Sequence, residues 1–336
     1  MKKILFPLLF ALAATAAIPG RAVGPYQFIK EIPVGGDGGW DYLSVDSAAQ
    51  RLYVSHATKV VVIDLAKDAV VGEITNTPGV HGIAVAPELN RGLVTCGREN
   101  KGAIVDLKTL QILSKVDTGA NPDGMIFEPG QQEFYTFNGR GSSATVIDAK
   151  TEKVVATIPL GGKPEFAQAD SKAGLVFNNL EDQSELVAID TKKHAVVNRW
   201  PIAPGEEASG LAFDEQNHRL FLGCGNKLMV MLDSTSGKVL ARVPIGDGVD
   251  ANAFDPATQF AFASCGDGTV TIAKEDGDKL TVVQTLKTEK GARTMTIDPA
   301  THKIYLAAAK FEEPAAGQRR GRMVPGSFKV LVYGPE

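Results

Sequence analysis

Apolar residues occur along the chain in short runs that turn residues interrupt at regular intervals. The stretch 121–159 shows the pattern most clearly, because its second run ends at Asn138 before a glycine and its third run ends at Asp148 before a turn. Short apolar runs bounded by Gly, Pro, Asn and Asp are typical of β-strands joined by tight turns. The stretch is therefore predicted to form four strands, at about 124–127, 133–137, 144–147 and 153–159.

The same pattern recurs along the chain. The aspartate that closes the third run recurs at intervals of 42, 42, 42 and 43 residues, at Asp64, Asp106, Asp148, Asp190 and Asp233. In two further units this position is Lys274 or Tyr333. Seven units are counted from the residues that close the first run: Asp46, Ala86, Glu128, Asp170, Asp214, Asp255 and Asp298.

Four strands in about 40 to 45 residues is the spacing of a β-propeller blade, since one such sheet cannot bury both faces without neighbours. We predict an all-β, seven-bladed propeller of four-stranded antiparallel blades over residues 23–336, as a single domain. The segment 26–34 resembles a fourth run with no preceding partners, and the chain ends on a third run at 328–333. The N-terminal strand is therefore expected to complete the last blade and close the ring, which removes exposed sheet edges. An insertion loop is predicted at about 310–327 in blade 7.

Residues 1–22 have the features of a secretory signal peptide. Lys2 and Lys3 precede an apolar run, 4–17, that is too short to span a membrane, and small residues follow it. We expect an exported, soluble protein without a membrane span, located in the periplasm or secreted. The whole chain carries a net charge of −4. Removal of a segment with three basic and no acidic residues would leave about −7, which makes a nucleic-acid partner unlikely.

One position per blade falls at the predicted channel mouth, five residues before the end of each first run: Asp41, His81, Asp123, Glu165, Ser209, Asp250 and Arg293. Carboxylates gathered at one opening need a cation or shared protons to stay there. A divalent ion (Ca²⁺, Mg²⁺, Mn²⁺ or Zn²⁺) would suit such oxygen ligands with one imidazole, and the candidate ligands are Asp41, His81, Asp123, Glu165 and Asp250. The alternative, that these side chains cap strand starts or face channel water, stays open at this point.

Candidate residues for an anionic or aromatic ligand lie beside this ring. An arginine can pair with an anion, and a tryptophan can stack on a ring. The candidates are Trp40, Arg293, Arg319, Arg320 and Arg322, for which packing between blades and a solvated loop are the alternatives.

Three further sets of residues receive structural interpretations. Cys96, Cys224 and Cys265 share one position at the end of the second strand, where packing explains them better than metal ligation or a disulfide. The repeated aspartates are interpreted as turn residues. The histidines His194, His218 and His302 are expected to be solvated on the opposite face.

The aligned second strands read YVSH, LVTC, YTFN, VFNN, FLGC, FASC and YLAA. This series resembles the YVTN repeat of the YncE-like seven-bladed propellers, and the first runs VHGIAVAP and NPDGMIF support the resemblance. It implies an exported propeller, often without an established reaction. The carboxylate ring is also similar in kind to that of lactonase and gluconolactonase propellers, which hold a divalent ion at the channel mouth.

The leading functional expectation is non-catalytic binding of a small ligand, a metal or a protein partner at the channel mouth, by a monomer. One alternative is a metal-dependent lactonase or esterase, in which the ion polarises a carbonyl or activates water and Arg293 orients the substrate. Another is an envelope scaffold that uses the rim of the propeller and binds other proteins.

Overall fold

A computed structural model describes residues 24–314 and 321–336. Over these residues the chain forms seven four-stranded antiparallel sheets, which confirms the predicted seven-bladed propeller. The predicted signal peptide, 1–22, lies outside the described residues. Neither described part of the chain contains a helix long and apolar enough to cross a membrane.

The strands are numbered in chain order; the first strand lies innermost in blades 1 to 6, and β26 (Met295–Asp298) does so in blade 7. The chain begins with β1 (Tyr26–Pro33). Blade 1 consists of β2 (Trp40–Asp46), β3 (Arg51–His56), β4 (Lys59–Asp64) and β5 (Ala69–Ile74). Blade 2 consists of β6 (Val80–Ala86), β7 (Arg91–Cys96), β8 (Lys101–Asp106) and β9 (Ile112–Asp117). Blade 3 consists of β10 (Pro122–Glu128), β11 (Glu133–Asn138), β12 (Ser143–Asp148) and β13 (Lys153–Pro159).

Blade 4 consists of β14 (Pro164–Asp170), β15 (Leu175–Leu180), β16 (Glu185–Asp190) and β17 (Ala195–Pro201). Blade 5 consists of β18 (Ala208–Asp214), β19 (Arg219–Cys224), β20 (Leu228–Asp233) and β21 (Val239–Pro244). Blade 6 consists of β22 (Val249–Asp255), β23 (Phe260–Cys265), β24 (Thr269–Asp276) and β25 (Lys279–Lys287). Blade 7 contains β26 (Met295–Asp298), β27 (Lys303–Ala308) and β28 (Lys329–Pro335). Single 3₁₀ turns lie at Pro87–Leu89 and Glu181–Gln183.

The N-terminal strand closes the ring as the sequence predicts. β1 is the outer strand of blade 7 and pairs antiparallel with β28, from Tyr26 opposite Pro335 to Pro33 opposite Lys329. Its Ile32 is fully buried among residues of blades 7 and 1, whereas Ile29 on the same strand is 42% exposed. The two ends of the described chain therefore form one sheet.

Burial follows the position of each strand in its blade. The third strands, such as β4, are buried on both faces at their four central residues, because a neighbouring blade packs on each side. The outer strands, such as β13, keep most of their residues exposed. Among the described residues seven apolar clusters form, one at each junction between neighbouring blades. No blade could bury its side chains without the next one.

The repeated aspartates serve the turns after the third strands. Asp64 Oδ1 accepts hydrogen bonds of 3.0 Å from the backbone N–H groups of Ala66 and Lys67. Asp148 Oδ1 accepts the equivalent pair from residues 150 and 151. The regular spacing of these aspartates, from which the fold is predicted, therefore reflects their hydrogen bonds to the turn backbone.

Side chains on the face opposite the channel mouth link neighbouring blades. His194 Nε2 lies 3.0 Å from both carboxylate oxygens of Glu133, and His302 Nδ1 lies 2.7 Å from Asp255 Oδ2. The expectation that these two histidines are solvated is wrong, because each turn reaches an acidic residue of the preceding blade. His218 is exposed as expected.

Glu275, near the end of β24, is a buried carboxyl group on this face that lies close to another acid, Asp214. It is 1% exposed, and its Oε2 has no hydrogen-bond partner among the described residues. Burial and the nearby negative charge of Asp214 raise the pKa of Glu275 to about 7 from its usual 4.5. The folded protein therefore holds this proton over a pH range in which the unfolded chain has lost it.

Stability is expected to decrease as the pH rises from 4.5 to about 7, because over that interval the native state binds more protons than the unfolded state. Glu275→Gln should therefore raise the free energy of unfolding by about 1–3 kcal/mol at pH 8 and change it little at pH 4. Urea denaturation at both pH values measures this, with Glu206→Gln at an exposed position as the control. Equal effects of Glu275→Gln at the two pH values would contradict the assignment.

Candidate functional site at the channel mouth

A β-bulge positions the side chain at the mouth in each of blades 1 to 6. On β2, Trp40 pairs with His56 and Leu43 pairs with Val54, so that Asp41 and Tyr42 together face Ser55. The same one-residue shift occurs at the start of each of the other five first strands. A bulge bends its strand and redirects a side chain, here towards the shared opening. At this bulge the backbone N–H of Asp41 donates a 2.8 Å hydrogen bond to the Ser55 hydroxyl.

Asp41, His81 and Asp123, from blades 1, 2 and 3, come together at this opening. His81 Nδ1 lies 2.7 Å from Asp41 Oδ2 and 3.3 Å from Asp123 Oδ1. The three potential ligand atoms all lie within 4.8 Å of one another, and each side chain is partly buried. Three of the five predicted metal ligands are thus brought within reach of a single ion.

Electrostatic interactions couple these three groups. Burial raises the pKa of Asp41 and raises that of Asp123 to about 6, although the neighbouring His81 opposes both shifts. Burial by itself would lower the pKa of His81, but the hydrogen bond to Asp41 and the charge of Asp123 outweigh burial and raise it. A positive charge closer to Asp41 and Asp123 would therefore stabilise the ionised form of each carboxylate.

The other two predicted ligands, Glu165 and Asp250, each pair with a basic residue. Lys163 Nζ lies 2.7 Å from Glu165 Oε1 and also bonds to Glu181, while Arg293 Nε lies 3.5 Å from Asp250 Oδ2. Burial raises the pKa of Glu165 to about 7, and burial also raises that of Asp250. Together with Asp41 and Asp123 of the triad, these carboxylates line a cavity of about 240 Å³ at the channel mouth.

Tyr42 lies beneath this cavity, next to Phe166 of blade 4. The two ring centroids are 4.5 Å apart, and both residues also line the channel of about 550 Å³ that continues below. The Tyr42 hydroxyl is buried and has no hydrogen-bond partner among the described residues. Burial and the charges of Asp123 and Glu165 raise its pKa well above 10.0. Tyr42 and Phe166 therefore separate the charged mouth from the channel below.

The predicted ligand-binding residues differ in their surroundings. Trp40 packs against Phe328 of blade 7, with ring centroids 5.1 Å apart, and Arg293 lines the mouth cavity. Arg322 is exposed on the insertion, while Arg319 and Arg320 lie outside the described residues. Trp40 thus packs between blades 1 and 7, and among the described members of this set Arg293 lines the mouth cavity.

The residues at the ends of the second strands are packed inside the blades. Cys96, Cys224 and Cys265 are buried and form no disulfide bonds. His56 is 1% exposed and stacks on Phe328 with ring centroids 4.1 Å apart. Burial lowers its pKa, which favours a neutral ring. These positions lie apart from the triad.

Sequence reasoning missed four residues of the site, one of which is Phe166, directly after Glu165. Tyr42 follows Asp41 directly, Lys163 precedes Glu165 by two residues, and Glu181 lies in the 3₁₀ turn after β15. The pattern Lys-x-Glu at the mouth position was a signal for the Lys163–Glu165 pair. Nothing in the spacing indicates Glu181, because a turn at the end of another strand brings it to the cavity.

Comparison with known proteins supports the fold. A solved structure titled Kuenenia stuttgartiensis Hydrazine Synthase superposes with a TM-score of 0.70, covering 87% of this chain and 96% of that chain. The fold is that of a seven-bladed propeller. At 17% identity this likeness concerns the fold alone. No protein-family model matches the chain, and no curated protein matches it in sequence.

Proposed function

We propose that this propeller binds a divalent cation at its channel mouth through Asp41, His81 and Asp123. The observation that carries the proposal is the convergence of three ligand atoms, from three blades, within 4.8 Å of one another. Tyr42 is independent support, because it lines the mouth cavity with Asp41 and Asp123 and its buried hydroxyl has no hydrogen-bond partner among the described residues. A cation would offset the excess of carboxylates over basic side chains around the cavity.

The donor set favours Zn²⁺ or Mn²⁺ over Ca²⁺ or Mg²⁺. An imidazole nitrogen is a preferred ligand for borderline metals, whereas Ca²⁺ and Mg²⁺ select oxygen. Bonds of about 2.0–2.2 Å place neighbouring ligand atoms roughly 3.0–3.4 Å apart. The 3.3 Å between His81 Nδ1 and Asp123 Oδ1 fits that range, whereas the 2.7 Å between the same nitrogen and Asp41 Oδ2 is a hydrogen-bond distance that would lengthen when an ion binds.

Metal uptake by chelator-treated protein tests this proposal. Zn²⁺ or Mn²⁺ is expected to raise the melting temperature and EDTA to reverse the rise, because a ligand at 100 times its Kd stabilises the native state by about 2.7 kcal/mol. Mg²⁺ at the same concentration is expected to have a smaller effect. Unchanged melting with all three ions, and no metal retained after dialysis, would overturn the proposal.

Metal-dependent hydrolysis is a second candidate for the same site. Three protein ligands leave coordination positions open for water or a substrate, and Glu165 with its raised pKa lies beside them. The metal-loaded sample separates the two functions: hydrolysis of phenyl acetate or a lactone that EDTA abolishes would favour catalysis over binding alone. An envelope scaffold that uses the rim is a third candidate.

We also propose that the chain belongs to the YVTN-repeat (YncE-like) family and is exported to the periplasm or the medium. The second-strand series supports the family assignment, and the charged and apolar character of residues 1–22 supports export. Both are compatible with a binding or scaffold role for the propeller.

A further inference from the structure

A second cavity opens beside the channel mouth, between the start of blade 1, the start of blade 7 and the insertion. Its volume is about 280 Å³, and its apolar walls are Trp40, Phe311 and Met323. Arg293 and Thr294 supply its polar side. None of the three proposed metal ligands lines it, so its chemistry is distinct from that of the triad.

The walls of this aromatic pocket are held in place by local structure. Phe311 and Met323 form an antiparallel bridge across the insertion, and the backbone N–H of Glu312 donates a 2.8 Å hydrogen bond to the Arg322 carbonyl. Trp40 is backed by Phe328, which is 1% exposed. These contacts place Phe311, Met323 and Trp40 on the walls of the pocket.

Arg293 stands where the aromatic pocket meets the mouth cavity, since it lines both. Its Nε faces Asp250 at 3.5 Å, its side chain is 58% exposed, and no described residue pairs with Nη1 or Nη2. The hydroxyl of Thr294 is buried without a hydrogen-bond partner among the described residues. With Nε facing Asp250, the edge formed by Nη1 and Nη2 has no partner among the described residues, and such an edge is suited to bidentate binding of a carboxylate.

We propose that this pocket binds a small aromatic carboxylic acid, with its ring against Trp40 and Phe311 and its carboxylate on Arg293. Two aromatic walls and a thioether favour a flat, polarisable ring. A cavity of about 150 Å³ already accommodates benzene, so the pocket has room for one ring and a short acidic arm. Its volume of about 280 Å³ lies near the lower limit of about 300 Å³ for ligand sites, which suits a ligand with one ring.

Calorimetric titration of EDTA-treated protein tests the proposal, with phenylacetate as the probe. Acetate lacks the ring, and benzylamine carries the same ring with the opposite charge. Phenylacetate is expected to bind at least about 10-fold more tightly than either, because ring burial and a charge-assisted pair act together. Equal or tighter binding of benzylamine, or no binding of phenylacetate, overturns the proposal. Since no metal is present, either failure leaves the cation proposal standing.

Variants assign the binding to this pocket. Arg293→Gln and Phe311→Ala are each expected to weaken phenylacetate binding at least about 10-fold, whereas Arg242→Gln, at an exposed position, should leave it unchanged. In a Trp200→Phe background Trp40 is the remaining tryptophan. Its fluorescence should therefore change when phenylacetate is added, if the ring of the ligand binds against it. Phenylacetate affinity that survives both pocket variants overturns the assignment. Arg293→Gln keeps the test decisive if Phe311→Ala disturbs the insertion.

Discussion

Replacing His81 with alanine is expected to weaken Zn²⁺ or Mn²⁺ binding at least about 100-fold. His81 supplies the one nitrogen among the three ligand atoms and lies between Asp41 and Asp123. Loss of a group that merely orients a ligand costs about 10–100-fold in metal affinity, and loss of the ligand itself costs at least as much. Calorimetric titration of chelator-treated protein measures the change.

The control for this prediction is His218→Ala, which removes an exposed histidine on the opposite face and should leave metal affinity unchanged. Asp123→Asn provides a second, nearly isosteric test, because it keeps the shape of the side chain but removes a charge that the ion would neutralise. Metal affinity that is equal in the wild type, His81→Ala and Asp123→Asn would place any bound ion elsewhere.

The largest effect on stability is expected at the closure of the ring. Ile32 of β1 is fully buried between blades 7 and 1 and pairs with Val330 of β28. Ile32→Ala is expected to lower the free energy of unfolding by about 2–5 kcal/mol, because it removes buried methyl groups and leaves a cavity. Urea denaturation of the whole protein measures the loss.

The same strand provides a matched control. Ile29 is 42% exposed and falls in the irregularity between Phe28 and Lys30, so Ile29→Ala should change the free energy of unfolding by less than about 1 kcal/mol. If the two alanine variants are equally stable, Ile32 is not buried in solution by the pairing of β1 with β28.

The fold was predictable because its signals are local and repeated. Asp148 and its equivalents each bond the backbone of the following turn, so the chemistry of one turn recurs at a fixed spacing. Ring closure was also predictable, since the segment that became β1 had the pattern of an outer strand and no partners nearby. Because the four-stranded unit occurs seven times, its length can be determined from several copies of the same pattern.

The site was predictable only in part, because its details depend on contacts between blades. Counting five residues back from the residue that closes each first run placed Asp41, His81 and Asp123 at the mouth, where the structure brings them together. That count contained no information on the β-bulges that turn them inwards. It also could not show that Lys163 and Arg293 pair with Glu165 and Asp250, which separates two predicted ligands from the triad.

Interactions on the opposite face were missed for the same reason. His194 and His302 lie in turns that are polar in sequence, and their acidic partners belong to neighbouring blades. Tyr42 at the mouth was missed in a comparable way, because an aromatic residue in an apolar run is predicted to lie in the hydrophobic core. Only the assembled propeller, in which the first strands of all blades face one axis, shows that the Tyr42 hydroxyl is buried.

Anomalous X-ray diffraction from crystals grown with Mn²⁺ or Zn²⁺ tests the central claim most directly. A single strong peak is expected about 2.0–2.2 Å from His81 Nδ1 and from one carboxylate oxygen each of Asp41 and Asp123. An anomalous map without a peak among these three side chains, at a metal concentration that saturates binding in solution, would contradict the account.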